Sequence, residues 1–158
     1  MKKIIYSVFC VILLACSSNT STPIKGAVVS ARIEASEAGR DVLKKGGNAY
    51  DAMVATSFAL AVVYPVAGNI TGGGFFVYRS AKGETGSLDY REMAPLKATK
   101  DLFLDKEGNV IPGKSTVGGL AVGIPGAVAG ILEVHRKLGS LPLAELIQSA
   151  IALSLIHI

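Results

Sequence analysis

The sequence predicts an α+β fold in which two helices and a β-hairpin are followed by further helices. Apolar residues recur at helical spacing in several segments, and one aromatic, β-branched run follows a glycine-rich stretch. Strand-like and helix-like segments are grouped along the chain, whereas a parallel α/β protein would alternate them. Half of the 158 residues are hydrophobic and 18% are charged, so the chain can bury a sizeable core.

The first predicted elements are a short strand and a helix. Residues 26–30 (GAVVS) form a short apolar run, which indicates a buried strand. Residues 34–45 carry apolar side chains at helical spacing and end in two lysines. Gly46 and Gly47 follow, which is typical of a helix C-terminus.

A second helix is predicted over residues 49–63. Asn48 is a good N-cap residue, and Asp51 places a negative charge in the first turn, where the helix dipole favours it. Apolar side chains surround this segment almost completely, which is typical of a buried helix. Pro65 ends it.

A β-hairpin is predicted after a glycine loop at residues 68–74. The run at residues 75–78 (FFVY) forms the first strand, residues 81–86 supply the turn, and residues 87–91 return as the second strand. The loop glycines indicate close packing between a helix and a strand. We favour packing over a nucleophilic role for Thr71, because no histidine or lysine lies near it in the sequence.

The remaining residues predict helices after an irregular stretch. One short helix is expected near residues 99–104. Pro125 is placed at the first position of a helix that ends at Leu138, and Pro142 opens another that reaches about residue 152.

Two features that suggest other functions are weak. Residues 108–115 (GNVIPGKS) match the phosphate-loop pattern letter for letter, but charged residues precede them where a strand should lie, and Gly118 and Gly119 follow where a helix should begin. We interpret the match as a surface turn. His135 is expected to be solvated near a helix end, and His157 has no local acidic or thiol partner, so we expect no metal and no cofactor.

The start of the chain predicts export. Residues 13–16 (LLAC) end an apolar run that is shorter than the ~20 residues of a membrane-spanning helix, and they match the lipobox of bacterial lipoproteins. We expect a lipoprotein-type signal peptide over residues 1–15, lipid attachment at Cys16 and a polar tether over residues 16–25. An ordinary cleaved secretion signal is the alternative. Both point to the periplasm or cell envelope.

The composition excludes nucleic acid as a partner. Removing residues 1–15 takes away Lys2 and Lys3, so the net charge falls from +4 to +2. A nucleic-acid surface would need a basic patch with interleaved aromatic residues, and the sequence has none.

Arg91 is the candidate binding residue. It stands between two acidic residues in the segment Asp89-Tyr90-Arg91-Glu92-Met93-Ala94-Pro95. A guanidinium keeps its charge and grips a carboxylate with a planar fork of donors, so Arg91 is suited to a free carboxylate. The alternative is a surface arginine paired with Asp89 or Glu92.

Four segments together resemble the γ-glutamyltranspeptidase family and follow one another in that family's order. They are residues 46–52 (GGNAYDA), 67–74 (AGNITGGG), 89–95 (DYREMAP) and 125–130 (PGAVAG). The resemblance extends over residues 26–150. In the family, the arginine of the third segment binds the α-carboxylate of the γ-glutamyl group, so the resemblance implies that role for Arg91.

The resemblance also implies a partial N-terminal-nucleophile hydrolase fold (αββα), incomplete in this chain. Family members are precursors that cut themselves into a large and a small subunit. The new N-terminal threonine attacks γ-glutamyl amides such as glutathione and passes the γ-glutamyl group to water, an amino acid or a peptide.

We therefore expect residues 26–152 to be the N-terminal part of the large subunit, and residues 153–158, which depart from the family pattern, to be a non-native tail. The chain should hold no catalytic residue and be inactive alone. Its expected partners are a γ-glutamyl substrate, the small subunit from the same precursor and, through Cys16, the membrane. The alternatives are a non-enzymatic envelope lipoprotein that binds an acidic ligand, and a related acylase.

Overall fold

The computed structural model describes residues 26–155, and the predicted α+β class is confirmed. Five α-helices, a short 3-10 helix and one antiparallel pair of strands make up the regular structure of this part of the chain. In chain order they are α1 (Ile33–Lys44), α2 (Ala49–Val63), β1 (Phe75–Arg79), β2 (Thr85–Asp89), the 3-10 helix (Gly119–Ala121), α3 (Ala127–Leu138), α4 (Leu143–Leu146) and α5 (Gln148–Leu155).

Helix α2 lies at the centre of the molecule and contacts all four of the other helices. Val54 and Ala55 on α2 are fully buried. They pack with Val42 of α1, Ile131 of α3 and Leu146 of α4 into the main apolar core. The prediction of a buried second helix is therefore confirmed, and burial of its apolar surface is the main source of stability here.

Small residues bring α1 close to α2. A second buried cluster consists of Ala35, Ala38 and Ala59. Gly39 lies against α2 so closely that a Cβ atom there would overlap the hydroxyl group of Thr56. A larger residue at position 39 would therefore push the two helices apart.

Asn48 caps α2, as the sequence predicts. Its side-chain oxygen accepts hydrogen bonds from the backbone N–H groups of Tyr50 (2.8 Å) and Asp51 (2.9 Å). The Asp51 carboxylate accepts one in return from the Asn48 N–H (2.9 Å). The Asn48 side-chain amide also donates to the carbonyl oxygen of Leu138 (2.8 Å), which ties the start of α2 to the end of α3. These bonds satisfy N–H groups that a helix terminus leaves without partners.

The hairpin packs one face against the helices and leaves the other open. The ring of Tyr50 on α2 makes edge-to-face contacts with Phe76 and Tyr78, with centroids 6.2 and 5.6 Å apart. The opposite face exposes Phe75 (64%) and Val77 (77%). We call this open side, formed by residues 75, 77, 79, 85, 87 and 89, the outer face of the hairpin.

The hairpin is confirmed, but its second strand lies two residues earlier than predicted. The N–H of Ser80 donates to the carbonyl oxygen of Glu84 (2.7 Å), and Gly83 between them has a φ of +88°. This glycine lets the turn close within residues 80–84. Strand β2 therefore ends at Asp89, and Arg91 lies beyond it.

Two predicted elements are wrong. Residues 26–30 are not a strand, and Val29 is 92% exposed, because no strand of the described part lies beside them to share hydrogen bonds. Residues 99–104 form turns rather than a helix. There the N–H of Leu102 bonds the carbonyl of Thr99, and that of Leu104 bonds the carbonyl of Asp101.

Pro125 is not the first residue of α3, which begins two positions later. The N–H groups of Gly126 and Ala127 both donate to the carbonyl oxygen of Gly72, at 3.0 and 2.9 Å. This contact with the glycine loop holds the chain in place before the helix starts at Ala127. Helix α3 ends at Leu138, as predicted.

The predicted last helix is divided in two. Pro142 precedes α4, as expected, but Ile147 separates α4 from α5, and α5 continues to Leu155. Residues 153–155 of the suspected tail therefore lie in a helix. Residues 156–158, the signal peptide, the tether and Cys16 lie outside the described residues. Within residues 26–155, no helix combines the length and apolarity needed to cross a membrane.

Candidate functional site

The segment at residues 90–92 lies where the glycine loop, the hairpin and the start of α3 meet. The N–H of Tyr90 donates to the carbonyl oxygen of Gly74 (3.0 Å). Three residues further on, Met93 exchanges hydrogen bonds with Ile124, at 3.2 and 2.7 Å. Backbone hydrogen bonds thus join three segments that are distant in the sequence.

Glycines surround this segment at contact distance. A Cβ atom on Gly73 would lie 2.6 Å from the carbonyl oxygen of Tyr90, and one on Gly130 would lie 2.5 Å from the ring atom Cδ1 of the same residue. Only glycine fits at such distances. We call the glycines that contact Tyr90 in this way the glycine cradle; they are Gly73, Gly74, Gly126 and Gly130.

Arg91 presents its guanidinium group on the outer face of the hairpin. The residue is exposed, and its guanidinium carbon lies 5.7 Å from the centroid of the Phe75 ring. A cation over an aromatic ring at this distance is attracted by the negative ring face. Phe75 thus lies beneath the guanidinium of Arg91, and the donors at the edge of the guanidinium remain available to a ligand.

The described residues do not show the alternative in which Arg91 pairs with Asp89 or Glu92. Asp89 Oδ1 instead accepts a hydrogen bond from the backbone N–H of Arg91 (3.0 Å). The ion pairs among residues 26–155 involve Arg32, Arg40, Lys44, Arg136 and Lys137, and Arg91 is not among them. Asp89 therefore orients the backbone at Arg91 without neutralising the side chain.

Tyr90 contributes no negative charge beside Arg91. Burial raises the pKa of its hydroxyl group above the ordinary value of 10.0, so the side chain stays neutral at physiological pH. The half-buried ring therefore acts by packing. The net local charge around the guanidinium comes from Arg91 and the exposed carboxylates of Asp89 and Glu92.

The prediction that Thr71 packs between a helix and a strand is wrong. Its N–H and its hydroxyl both donate to Asn69 Oδ1, at 2.9 and 2.7 Å, in an exposed turn. The close packing of the loop falls instead on Gly68, whose Cβ would lie 2.7 Å from Leu60, and on Gly73. The loop glycines therefore pack as predicted, whereas the threonine only closes the turn.

The phosphate-loop match is a surface turn, as predicted. Leu104 and Val110 form an isolated bridge, and Gly108 between them has a φ of +87°. Asp105 accepts hydrogen bonds from the N–H groups of Glu107 (3.0 Å) and Asn109 (2.8 Å). The bonds from Asn109 are the main cause that lowers the pKa of Asp105. In the described part of the chain only a three-residue 3-10 helix (Gly119–Ala121) follows directly, and it is too short to direct a row of amides at a phosphate.

His135 is not a solvated histidine. It lies in the last turn of α3, but it is half-buried and its Nε2 lies 2.8 Å from the carbonyl oxygen of Leu141. It therefore joins α3 to the loop before α4. Within the described residues, no three His, Cys, Asp or Glu side chains are grouped so that they could hold a metal ion.

A large groove in the described part of the chain lies away from Arg91. It has a volume of about 880 Å³ and runs between residues 26–29 and the helices α1 and α2, where Leu43, Met53 and Thr56 line it. Its walls are mainly apolar, and it contains no charged group suited to a carboxylate apart from Lys44 at its edge. We therefore place the candidate site at Arg91, because its guanidinium can bind a carboxylate, although Arg91 does not line this groove.

Sequence reasoning missed the residues that hold Arg91 in place. Tyr90 entered the prediction only as part of the segment at residues 89–95. Gly126 and Gly130 entered it only as part of the segment at residues 125–130 that resembles the family. One signal points to the pair, because glycines four residues apart lie on one face of a helix and permit close packing there. Nothing in the sequence identifies Tyr90 as their partner.

Comparisons with known proteins agree with this arrangement. The sequence model described as Gamma-glutamyltranspeptidase matches residues 35–155. The chain is 54% identical over 129 residues to the glutathione hydrolase proenzyme of Pseudomonas sp. (strain A14), and 49% identical over 130 residues to that of Escherichia coli (strain K12). Each match covers 82% of this chain and 22% of the relative.

A solved structure shows the same fold. The crystal structure of Helicobacter pylori gamma-glutamyltranspeptidase matches with a TM-score of 0.78 and 56% identity, over 81% of this chain and 37% of that one. The likeness confirms the expected partial N-terminal-nucleophile hydrolase fold. The chain spans about a fifth of the length of the curated relatives it matches. The chain belongs to the gamma-glutamyltranspeptidase family.

Proposed function

We propose that this chain is the N-terminal part of the large subunit of an exported γ-glutamyltranspeptidase. The complete enzyme cleaves γ-glutamyl amides such as glutathione and transfers the γ-glutamyl group to water, amino acids or peptides. Family membership supports the reaction class. The single observation that supports a role for this segment is the exposed guanidinium of Arg91, which has no carboxylate partner within residues 26–155.

Arg91 binds the α-carboxylate of the γ-glutamyl group. A guanidinium donates two parallel N–H bonds to a carboxylate, and a charge-assisted contact of this kind contributes about 1.5–3 kcal/mol. Phe75 beneath the guanidinium restricts its motion, with the carbon 5.7 Å from the ring centroid. The substrate is therefore held at the end opposite its scissile amide bond.

This segment contributes binding, and the reacting atoms belong elsewhere. In the proposed mechanism a precursor cuts itself, and the new N-terminal threonine of the small subunit attacks the γ-glutamyl amide with its own α-amine as base. We place that threonine in the part of the proenzyme outside this segment, since the segment covers 22% of the relatives. We therefore expect the 158-residue chain to be inactive until it is combined with the rest of an enzyme.

A hybrid proenzyme tests the proposal. In it, residues 26–155 replace the aligned segment of the glutathione hydrolase proenzyme of Pseudomonas sp. (strain A14), which is 54% identical. We expect the hybrid to cleave itself and to release p-nitroaniline from γ-glutamyl-p-nitroanilide. Arg91→Ala should lower kcat/KM roughly ten- to a hundredfold, as expected from the loss of a charge-assisted contact.

Two further variants sharpen the test. Arg91→Lys keeps the charge but loses the fork, so its kcat/KM should lie between those of the parent and of Arg91→Ala. Arg79→Ala is the matched control, because Arg79 is an exposed arginine on the same outer face. Loss of activity in Arg79→Ala equal to that in Arg91→Ala would show only a general effect of charge. A cleaved but inactive parent hybrid would refute the proposed function.

We also propose that the protein is attached to the bacterial envelope through Cys16. Support comes from residues 13–16, which match a lipobox after a basic start and an apolar run. Cys16→Ser should abolish incorporation of a labelled fatty acid in the expressing bacterium. Cys10→Ser is the control and should keep the label. Labelling that persists in Cys16→Ser would refute attachment at Cys16, and a parent protein that takes up no label would favour the alternative of an ordinary secretion signal.

A further inference from the structure

We propose that Tyr90 is a positioning residue whose ring, enclosed by the glycine cradle, fixes the place of the Arg91 guanidinium and thereby sets the affinity for the substrate carboxylate. The inference rests on the proposed function, because it concerns how the same site binds its substrate. It adds a determinant that does not touch the substrate. The argument depends on the contacts of one side chain and of the backbone that follows it.

The Tyr90 ring is enclosed from two sides. A Cβ atom on Gly74 would lie 3.1 Å from ring atom Cε2, and one on Gly130 would lie 2.5 Å from Cδ1 and would overlap Cγ. The first glycine ends the loop before β1, and the second lies in the first turn of α3. The ring therefore wedges between the hairpin and α3, where a displacement would need one of them to move.

The backbone around Tyr90 and Arg91 is enclosed as well. A Cβ atom on Gly73 would lie 2.7 Å from Arg91 Cα, and one on Gly126 would overlap the Tyr90 carbonyl oxygen. Asp89 accepts a hydrogen bond from the Arg91 N–H at 3.0 Å. The backbone of Arg91 is thus in contact with Gly73, Gly126 and Asp89, although its side chain is exposed.

A fixed Cα matters because the arginine side chain is long and mobile. The side-chain bonds of Arg91 lose rotational freedom when the guanidinium binds a carboxylate. A fixed Cα atom reduces the number of conformations available before binding, so less conformational entropy is lost. Displacement of the backbone would move the donor fork away from the carboxylate. A misplacement of about 1 Å can lower activity on the order of a hundredfold.

Variants of Tyr90 in the hybrid proenzyme test the inference. We expect Tyr90→Ala to raise KM for γ-glutamyl-p-nitroanilide roughly ten- to a hundredfold with little change in kcat, because the reacting threonine is untouched. Tyr90→Phe keeps the ring and should restore the parent KM. Gly130→Ala is an independent variant, since its Cβ displaces the same ring, and it should raise KM in the same way.

Two glycine controls separate positioning from general stability. Gly119→Ala places a Cβ atom where no heavy atom lies within 4 Å, so it should leave KM and stability unchanged. Gly39→Ala overlaps Thr56 in the contact between α1 and α2, so it should lower the melting temperature but leave KM unchanged. A purely structural role for Tyr90 would give the pattern of Gly39→Ala.

The outcomes distinguish this inference from the proposed function. An active hybrid in which Tyr90→Ala and Gly130→Ala both fold, cleave themselves and keep the parent KM overturns the positioning role alone. A rise in KM for Tyr90→Phe equal to that for Tyr90→Ala overturns it too, because the ring would then not be the determinant. A cleaved parent hybrid without activity overturns the proposed function, and the inference with it.

Discussion

Asp51 is a fully buried carboxylate that joins the start of α2 to the loop before α4. It accepts hydrogen bonds from the Ser140 hydroxyl (2.5 Å), from the Ser140 N–H (2.9 Å) and from the Asn48 N–H (2.9 Å). Burial is the largest single effect and raises the pKa of Asp51, but these hydrogen bonds together outweigh it. The pKa is therefore lowered from its ordinary value of 3.8.

The first prediction concerns this carboxylate. Because the pKa of Asp51 is lower in the folded than in the unfolded protein, the ionised carboxylate stabilises the fold. This stabilisation is fully present above pH 3.8, and it is lost as the pH falls through the folded-state pKa. Asp51→Asn should lower the free energy of unfolding by about 1–3 kcal/mol at pH 7, because buried donors lose their ionised acceptor. Thermal unfolding of the hybrid and its variant at pH 7 and below pH 3.8 measures the difference.

Ser140→Ala is the control for Asp51→Asn. It removes one donor and leaves the charge, so its effect at pH 7 should be the smaller of the two. A difference between parent and Asp51→Asn that stays constant down to strong acid would contradict the account of this residue.

The roles of single residues could be predicted where they depend on the residue's own side chain and its neighbours in the sequence. Asn48 as the cap of α2 and Asp51 in its first turn follow from their own side chains. Arg91 was singled out by its fixed charge, and the structure leaves it exposed. Tyr90 was not predicted as important, because its role depends on glycines that lie far from it in the sequence.

At the scale of elements, α2 was predicted residue for residue because a cap, an apolar run and a proline define its ends. The strand at residues 26–30 was predicted wrongly, because a strand exists only with a neighbour and a local pattern cannot supply one. The hairpin was found, but its second strand was shifted, since the position of Gly83 in the turn decides where pairing begins. Boundaries fixed by distant contacts, such as the start of α3, were missed.

The contact between α1 and α2 gives the second stability prediction. Gly39→Val should lower the free energy of unfolding by about 1–3 kcal/mol or more, because its side chain must enter a closely packed helix contact. Gly39→Ala should have a smaller effect of the same sign. Thermal or denaturant unfolding measures both, with Gly119→Ala as the neutral control. An unchanged stability of Gly39→Val would show that the two helices are not closely packed in solution.

At the scale of the whole molecule, a large apolar surface lies open. Phe75 (64%) and Val77 (77%) are exposed on the outer face of the hairpin, and Met93 (67%) and Leu96 (100%) are exposed in the segment that follows it. Exposed apolar side chains that share one face, as Phe75 and Val77 do, mark an interaction surface or a risk of aggregation. The relatives are about five times as long as the matched segment, which accounts for 22% of them. In a complete family member we expect further chain to pack on these exposed side chains.

A solubility prediction follows from the outer face. Residues 26–155 expressed alone should self-associate, and Val77→Lys should reduce that association because it places a charge in the middle of the open face. Size-exclusion chromatography and binding of a hydrophobic dye measure the effect. Ser87→Lys, at the paired position on β2, is the control that adds a charge without removing an apolar group. A monomeric parent fragment with no dye binding would contradict this expectation.

The sequence predicted the family and the order of its four segments, but it did not predict how they meet. The glycine loop, the end of the hairpin and the start of α3 converge on residues 90–92 through hydrogen bonds between distant residues such as Gly72 and Gly126. Such convergence depends on tertiary packing. The position of Arg91 over Phe75 therefore had to be seen in the structure.

The most direct test of the central claim, that Arg91 holds the substrate's α-carboxylate, pairs a change in the enzyme with a change in the substrate. The hybrid and its Arg91→Ala variant are each assayed with γ-glutamyl-p-nitroanilide and with 4-aminobutyryl-p-nitroanilide, which lacks only that carboxylate. The parent should prefer the γ-glutamyl compound, and Arg91→Ala should lose roughly ten- to a hundredfold in kcat/KM with it but almost nothing with the other. An equal loss with both substrates would contradict the account.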